Sequence, residues 1–476
     1  MITFIIGLAI LIVGSILYGM LCEKVFRPDD RETPAVSKND GIDYIPMPRW
    51  RNCLIQLLNI AGTGPILGPI QGILFGPIAF ITIPIGCVIG GAMHDYMSAM
   101  ISVRNGGAQM PSLVNKYLGK VPYIAFSIVV APALLLAGTV FTYVPGDLIV
   151  SQFMPKSINP AVIWIVYGVI FAYYFLATLL PIDKIIARFY PVFGVILIVM
   201  AVGIVGGLIW GGYTIPEIAL TNLHPDGLSP WPFMFVTVAC GAISGFHATQ
   251  SPMMAKCVTT EKVGRKVFYG AMLSESVIAL VWAAAGVAFY GTTSLLQDAI
   301  ASLGQSGVVY DISVNLLGKI GGVLAVIGVV VCPITSGDTA FRAARLSLAE
   351  WTGLDQTKIS RRLLLSLPMF AVAGVMTQIN FDVLWRYSAW SNQTLAMLSL
   401  WTATAYLIKN GKGRYASLLT ALPAAFMTAV SVTYILVAPE GFRLSYAIGF
   451  PIGAVVAVLV FVFYLVKARR ARHNAL

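Results

Sequence analysis

Few side chains in this sequence could carry charge or protons through an apolar interior, and each stands out from its surroundings. His94 and Asp95 end the stretch GGAMHD, Glu275 lies in YGAMLSES, and His247 lies in ACGAISGFHATQSPM. Asp338 lies in PITSGDTAFRAAR, with the hydroxyls of Thr335, Ser336 and Thr339 beside it and Arg342 four residues on. An ionisable group deep in a lipid-buried helix is costly, so each of these is a functional candidate by default. Histidine changes charge near neutral pH, which suits His247 to proton or substrate contact. The oxygens of Thr335 and Ser336 suit sodium, and Asp338 suits sodium or a proton. Plainer roles compete with these. Asp338 could pair with Arg342 on one helix face, and His247 could hydrogen-bond a freed carbonyl. His94 and Asp95 lie about 10 Å by helical rise from the end of their segment, a place for a gate or structural network that Glu275 could join.

The backbone supplies a second kind of chemistry. In NIAGTGPILGPIQG, Gly62, Gly64, Pro65, Gly68 and Pro69 fall within eight positions, and each lowers helix preference or removes a ladder hydrogen bond. ACGAISGFHATQSPM repeats the pattern. Backbone freed at membrane depth persists only where protein or a water-filled cavity satisfies it, although one such segment alone could be a kink that lets helices pack closely. We expect the chain to be unwound at Gly62 to Pro65 and at Gly241 to Gly245, with the two breaks close together near the bilayer midplane. Gly62, Thr63, Gly64, Gly241, Ser244, Gly245 and His247 then contact substrate, and unpaired N–H groups at the helix ends favour a carboxylate. Ala61 at the first break joins Thr335, Ser336, Asp338 and Thr339 in a candidate cation site. In LWRYSAWSNQTLAML, Tyr387, Trp390, Asn392 and Gln393 put aromatics and amides together, suited to an apolar side chain and a peptide group, or to an interfacial belt.

The elements that position these groups are membrane helices. The chain is 58% hydrophobic and 11% charged, far from the roughly 25% charge of soluble domains. Thirteen apolar runs are long enough to cross a bilayer: about 2–22, 53–76, 77–101, 122–144, 160–181, 190–210, 231–254, 267–291, 319–346, 363–379, 385–407, 416–438 and 445–466. The longest loops, 23–51 and 292–318, are too short for a separate globular domain. Of the 31 Lys and Arg residues, all but Lys156, Lys319, Arg386 and Arg443 fall in alternate loops and the tail. That is the positive-inside bias, with the amino terminus outside and the carboxyl terminus cytoplasmic. The net charge of +11 therefore reports topology rather than a nucleic-acid partner. The first run lacks a basic leader and is expected to be retained. Six cysteines without C-x-x-C spacing predict neither disulfides nor zinc. No cofactor is expected beyond a sodium ion or a coupled proton.

Broken segments in matching positions point to inverted repeats. Runs two to six (53–210) and seven to eleven (231–407) are sets of five entering from opposite sides, the LeuT-type 5+5 arrangement. One extra helix and loop (1–52) precede them, and two helices with a basic tail (416–476) follow. The fold class predicted is an all-α polytopic membrane protein with about 13 transmembrane helices, working as a secondary transporter. No filter-like repeat argues for a channel, and no H-E-x-x-H or G-x-S-x-G motif argues for an enzyme.

The segments TPAVSKNDGIDYIP, IAGTGPILGPIQG, GGAMHDYMSAMISVRNGG, GAISGFHATQSPMMAKC, VGRKVFYGAMLSES and LWRYSAWSNQTLAML together resemble the carbon starvation (CstA) family across essentially the whole chain. The resemblance implies a bacterial cell-membrane protein that imports peptides, or pyruvate in some members, when carbon is scarce. The substrate is then a small carboxylate-bearing molecule, and lipid is the other partner. The chain looks shorter than the longer enterobacterial members, so helices that flank the core in those proteins are expected to be missing.

Overall fold

The computed structural model describes residues 1–473 except 42, 156, 158, 160, 180, 181, 220, 357, 412 and 413; Lys156 is thus outside the described residues. It is all-helical, with one isolated bridge, Met47 to Val258, among the described residues. In chain order the helices that build the bundle and its site are α1 (Ile2–Phe26), α2 (Arg49–Ile60), α3 (Gly64–Phe75), α4 (Ala79–Arg104), α5 (Lys120–Phe153), α6 (Val162–Leu179), α7 (Ile182–Trp210), α8 (Pro230–Thr237) and α9 (His247–Ala255), with a shorter helix, Met110–Leu118, between α4 and α5. They continue with α10 (Glu261–Tyr290), α11 (Thr293–Val326), α12 (Cys332–Thr352), α13 (Ile359–Met376), α14 (Phe381–Lys409), α15 (Arg414–Val437) and α16 (Tyr446–His473).

Among the described residues nine helices are long and apolar enough to cross a membrane, or eleven if each bent pair counts as one span. The bent pairs are α2 with α3, at 50°, and α8 with the stretch through α9, at 61°. Helices α12 and α14 are not in that set because their inward faces are polar: Thr335, Ser336, Asp338, Asn392 and Gln393 are all buried. At the periphery, Ile5, Ile12 and Leu17 of α1 and Val455, Leu459 and Phe463 of α16 are exposed, as lipid-facing side chains must be where no water competes.

One expectation needs correction. Residues 292–318 form no open loop; they belong to α11, which turns at Gly304 (φ 71°) and Gly318 (φ 61°). Positive φ is available to glycine without a Cβ clash, so the chain kinks at both glycines. The segment expected to start at 319 begins at the second of these turns and runs through a π-helical stretch, Ile327–Val331, into α12.

The basic loops share one end of the bundle. Lys38 Nζ donates to the Gly106 carbonyl at 2.8 Å, Thr33 Oγ1 to the Val258 carbonyl at 2.7 Å, and Lys409 lies 5.7 Å from the Tyr117 ring centre. The amino terminus lies at the other end, bonded to the Ile215 carbonyl at 2.7 Å and the Glu217 carboxylate at 2.5 Å. Helix α12 packs along α5, and α14 packs against both α5 and α15.

Candidate functional site

The first break spans Ala61 to Thr63. Ala61 leaves helical geometry (φ −83°, ψ 54°), and α3 starts with Pro65 in its first turn. Proline has no N–H to return to Ala61, and Gly62 N donates to the Ile60 carbonyl at 3.0 Å instead of to Leu58. Ser336 Oγ of α12 takes the vacated place, donating to the Leu58 carbonyl at 2.9 Å. The sequence-predicted serine thus sits on the first break.

The second break follows a short helix, Ala239–Ala242. Ile243 is extended (φ −161°, ψ 121°), and Gly245 N donates to the Asn392 carbonyl of α14 at 3.0 Å. A Cβ on Gly245 would lie 2.2 Å from that carbonyl oxygen, so glycine is required by close approach as well as by the break. The two breaks are adjacent: a Cβ built on Gly64 would stand 2.6 Å from Cys240 Cβ. Thr63, Gly64, Ser244, His247 and Asn392 line one cavity of about 30 Å³, room for a water or two.

Predicted substrate residues divide between lining and support. Gly62 packs on the Phe141 ring and Ser336, and Gly241 packs on Ala279. Tyr387 donates to the Glu440 carbonyl at 3.0 Å and Trp390 Nε1 to the Ser431 carbonyl at 3.1 Å. Both therefore face away from the cavity. It takes Trp385, Ser388 and Asn392 from α14, the three- and four-residue spacing of one helix face. Trp385, Ser388 and Phe141 were not anticipated; that periodicity, rather than aromatic content, was the signal available.

The ionisable groups converge beside this cavity, all fully or almost fully buried. His247 Nδ1 lies 3.0 Å from Asp95 Oδ2, and its Nε2 lies 3.4 Å from Glu275 Oε2. His94 Nδ1 lies 2.9 Å from Asp95 Oδ1. One imidazole therefore bridges carboxylates from α4 and α10. A doubly protonated ring donates to Asp95 and faces Glu275 as an ion pair, whereas a neutral ring leaves one of the two carboxylates without an opposite charge. His247 also lines the cavity, so protonation at the bridge is felt there.

Around Asp338, Thr335 Oγ1 donates to the Cys332 carbonyl at 2.7 Å, Thr339 Oγ1 to the Ser336 carbonyl at 3.0 Å, and Arg342 Nη2 to the Ala177 carbonyl at 2.5 Å. Asp338 is buried. Of the predicted cation group, Ser336 is the member in hydrogen-bond contact with the first broken segment.

The two ends of the bundle differ. At the basic end, fully buried Glu261 meets Arg104 at 2.8 Å and Arg31 at 3.5 Å and accepts from Asp29 N at 3.1 Å. Arg104 also lies 4.0 Å from the Phe26 ring centre. Buried Lys or Arg and Glu pairs at a loop give little sequence signal, and this one was not anticipated. At the opposite end are cavities of about 240 and 400 Å³ that share Gln305 and Asp382; Trp385 separates the first from the central cavity.

Comparison with known proteins gives this geometry a context. The profile of the carbon starvation protein CstA family matches residues 1–168 and 157–305. An uncharacterised membrane protein of Haemophilus influenzae is 42% identical over 63% of this chain and 95% of its own length. The pyruvate/proton symporter BtsT of Escherichia coli is 30% identical over 55% of this chain, and the peptide transporter CstA of Helicobacter pylori strain J99 is 27% identical over 58%. The chain spans about half the length of these two transporters, 45% and 49%. Among solved structures, a mutant of the Eremococcus coleocola manganese transporter aligns over 92% of this chain and 99% of its own, with a TM-score of 0.57 and 13% identity; this is a likeness of fold. The chain is a multi-pass membrane protein, and it belongs to the carbon starvation protein CstA family.

Proposed function

We propose that this chain is a proton-coupled importer of a small carboxylate-bearing substrate, working by alternating access at the cavity between the two broken helices. The observation that carries this reading is His247, which bridges Asp95 and Glu275 while lining the cavity. A proton arriving at the bridge cancels buried negative charge, and its departure restores it, so occupancy of the cavity and protonation are energetically linked. The substrate carboxylate sits against the amides at the start of α3 and α9, with peptides as the first substrate class and pyruvate or another small monocarboxylate as the second. The named substrates of the related transporters support both.

The architecture in this reading is the LeuT-type 5+5 inverted repeat, α2 to α7 and α8 to α14, within thirteen spans. Residues 1–52 precede it, and 416–476 follow. The basic end faces the cytoplasm, because Lys and Arg resist translocation. A second coupling site has a specific observation behind it: Ser336 on the Leu58 carbonyl puts Ala61, Thr335, Asp338 and Thr339 near a site that suits sodium.

The test is uptake of labelled dialanine and pyruvate by proteoliposomes under an imposed pH or sodium gradient. Accumulation driven by the pH gradient alone is expected. Accumulation that needs sodium and ignores pH would move the coupling to Ser336 and Asp338; no accumulation of either substrate would remove the proposed function.

A further inference from the structure

We propose that the vestibule at the end opposite the basic loops is an entry site for the primary ammonium group of a ligand, held by Asp382 and Gln305. The two cavities there meet at these residues, with Asp226 in one and Asp147 in the other. Gln305 is only 8% exposed, and its Oε1 has no hydrogen-bond partner among the described residues. A buried carbonyl oxygen left in that state needs a donor. The carboxylates around it make the requirement specific. Asp147 Oδ2 accepts from Ser306 Oγ at 2.8 Å and Asp226 Oδ2 from Gln297 Nε2 at 2.8 Å. The cation in the vestibule, Arg386, is 3.3 Å from Glu440. Three carboxylates, Asp147, Asp226 and Asp382, thus line a space whose one Lys or Arg among the described residues is already paired, and an ammonium, with three N–H donors and no acceptor, complements them. Aromatic faces from Tyr143, Trp385 and Tyr434 line the same space and add attraction for a cation.

The same surroundings disfavour an isolated carboxylate, since like charges repel. Taken with the transport reading above, on which its role in entry rests, the site selects ligands bearing a free amine and passes them towards Trp385, which stands between vestibule and central cavity. Its place outside that cavity makes it a staging site rather than the coupled one.

Calorimetry on the detergent-solubilised full chain tests the site without any transport. The probes are L-alaninamide, which has an ammonium and no carboxylate, and N-acetylalanine, which has the reverse. Alaninamide is expected to bind and acetylalanine not to compete with it. Asp382→Asn is expected to weaken alaninamide by about fivefold or more, and Gln305→Leu, which removes the acceptor without touching the charge, is expected to weaken it as well. Absence of alaninamide binding to the parent overturns the proposal, as does an affinity that both folded variants leave unchanged. Failure of the liposomes to accumulate dialanine or pyruvate, with alaninamide binding intact, counts against the proposed function alone.

Discussion

Asp95 and Glu275 beside the cavity, and Glu261 at the basic end, are all fully buried carboxylates, yet their partners differ in kind. Asp95 and Glu275 meet the imidazole of His247, a group that can gain or lose a proton. Glu261 meets Arg104 and Arg31, whose charge does not change. A carboxylate paired with histidine exchanges a proton as its surroundings change; one paired with arginine holds two segments together until the contact itself is broken. In the proposed function the difference separates a carrier from a latch. The Glu261 contacts join segments at the basic end, whereas the opposite end holds the two cavities of the vestibule.

The carrier is the place to break the comparison most severely. With one proton per substrate, a gradient of two pH units supports about 100-fold accumulation. His247→Gln is expected to abolish that ratio, while exchange of labelled for unlabelled substrate at equal concentrations partly survives. Asp338→Asn is expected to keep the ratio. If the two results are reversed, the carrier is the group on α12.

Removing one partner of a buried ion pair typically costs about 3–5 kcal/mol. Glu261→Ala should therefore lower thermal stability in detergent by roughly that amount. Arg104→Ala should do the same, and the double variant should recover part of the loss. Additive losses would show that the latch is not a coupled unit. A smaller effect is expected from Gly245→Ala, whose Cβ would meet the Asn392 carbonyl and the Ala396 amide nitrogen; such crowding costs about 1–3 kcal/mol, and uptake should fall with stability. The mildest change is a cysteine at exposed Ser37, which should leave uptake intact and label with an impermeant maleimide from the cytoplasmic side only. Labelling in intact cells would reverse the assignment of carrier access and latch to their sides.

Much of this organisation was legible in the chain itself. Glycine and proline density marked both breaks, because those residues lose helix stability wherever they occur, but the bounds shifted: Gly64 and Pro65 already belong to α3, and Gly241 to the short helix Ala239–Ala242. The apolar runs marked helices for the same reason: lipid leaves the backbone no partner except itself. His94, Asp95, His247 and Glu275 could each be singled out because burial makes an ionisable side chain costly anywhere in a membrane helix. Their assembly into one cluster was not legible, since it depends on how α4, α9 and α10 approach one another across 181 residues of chain, from His94 to Glu275. The orientation of α14 was likewise a tertiary decision: packing on α5 and α15 turned Trp385, Ser388 and Asn392 to the cavity and Tyr387 and Trp390 away from it. Helical sequence fixes which residues share a face, but only the neighbours decide which face is inside.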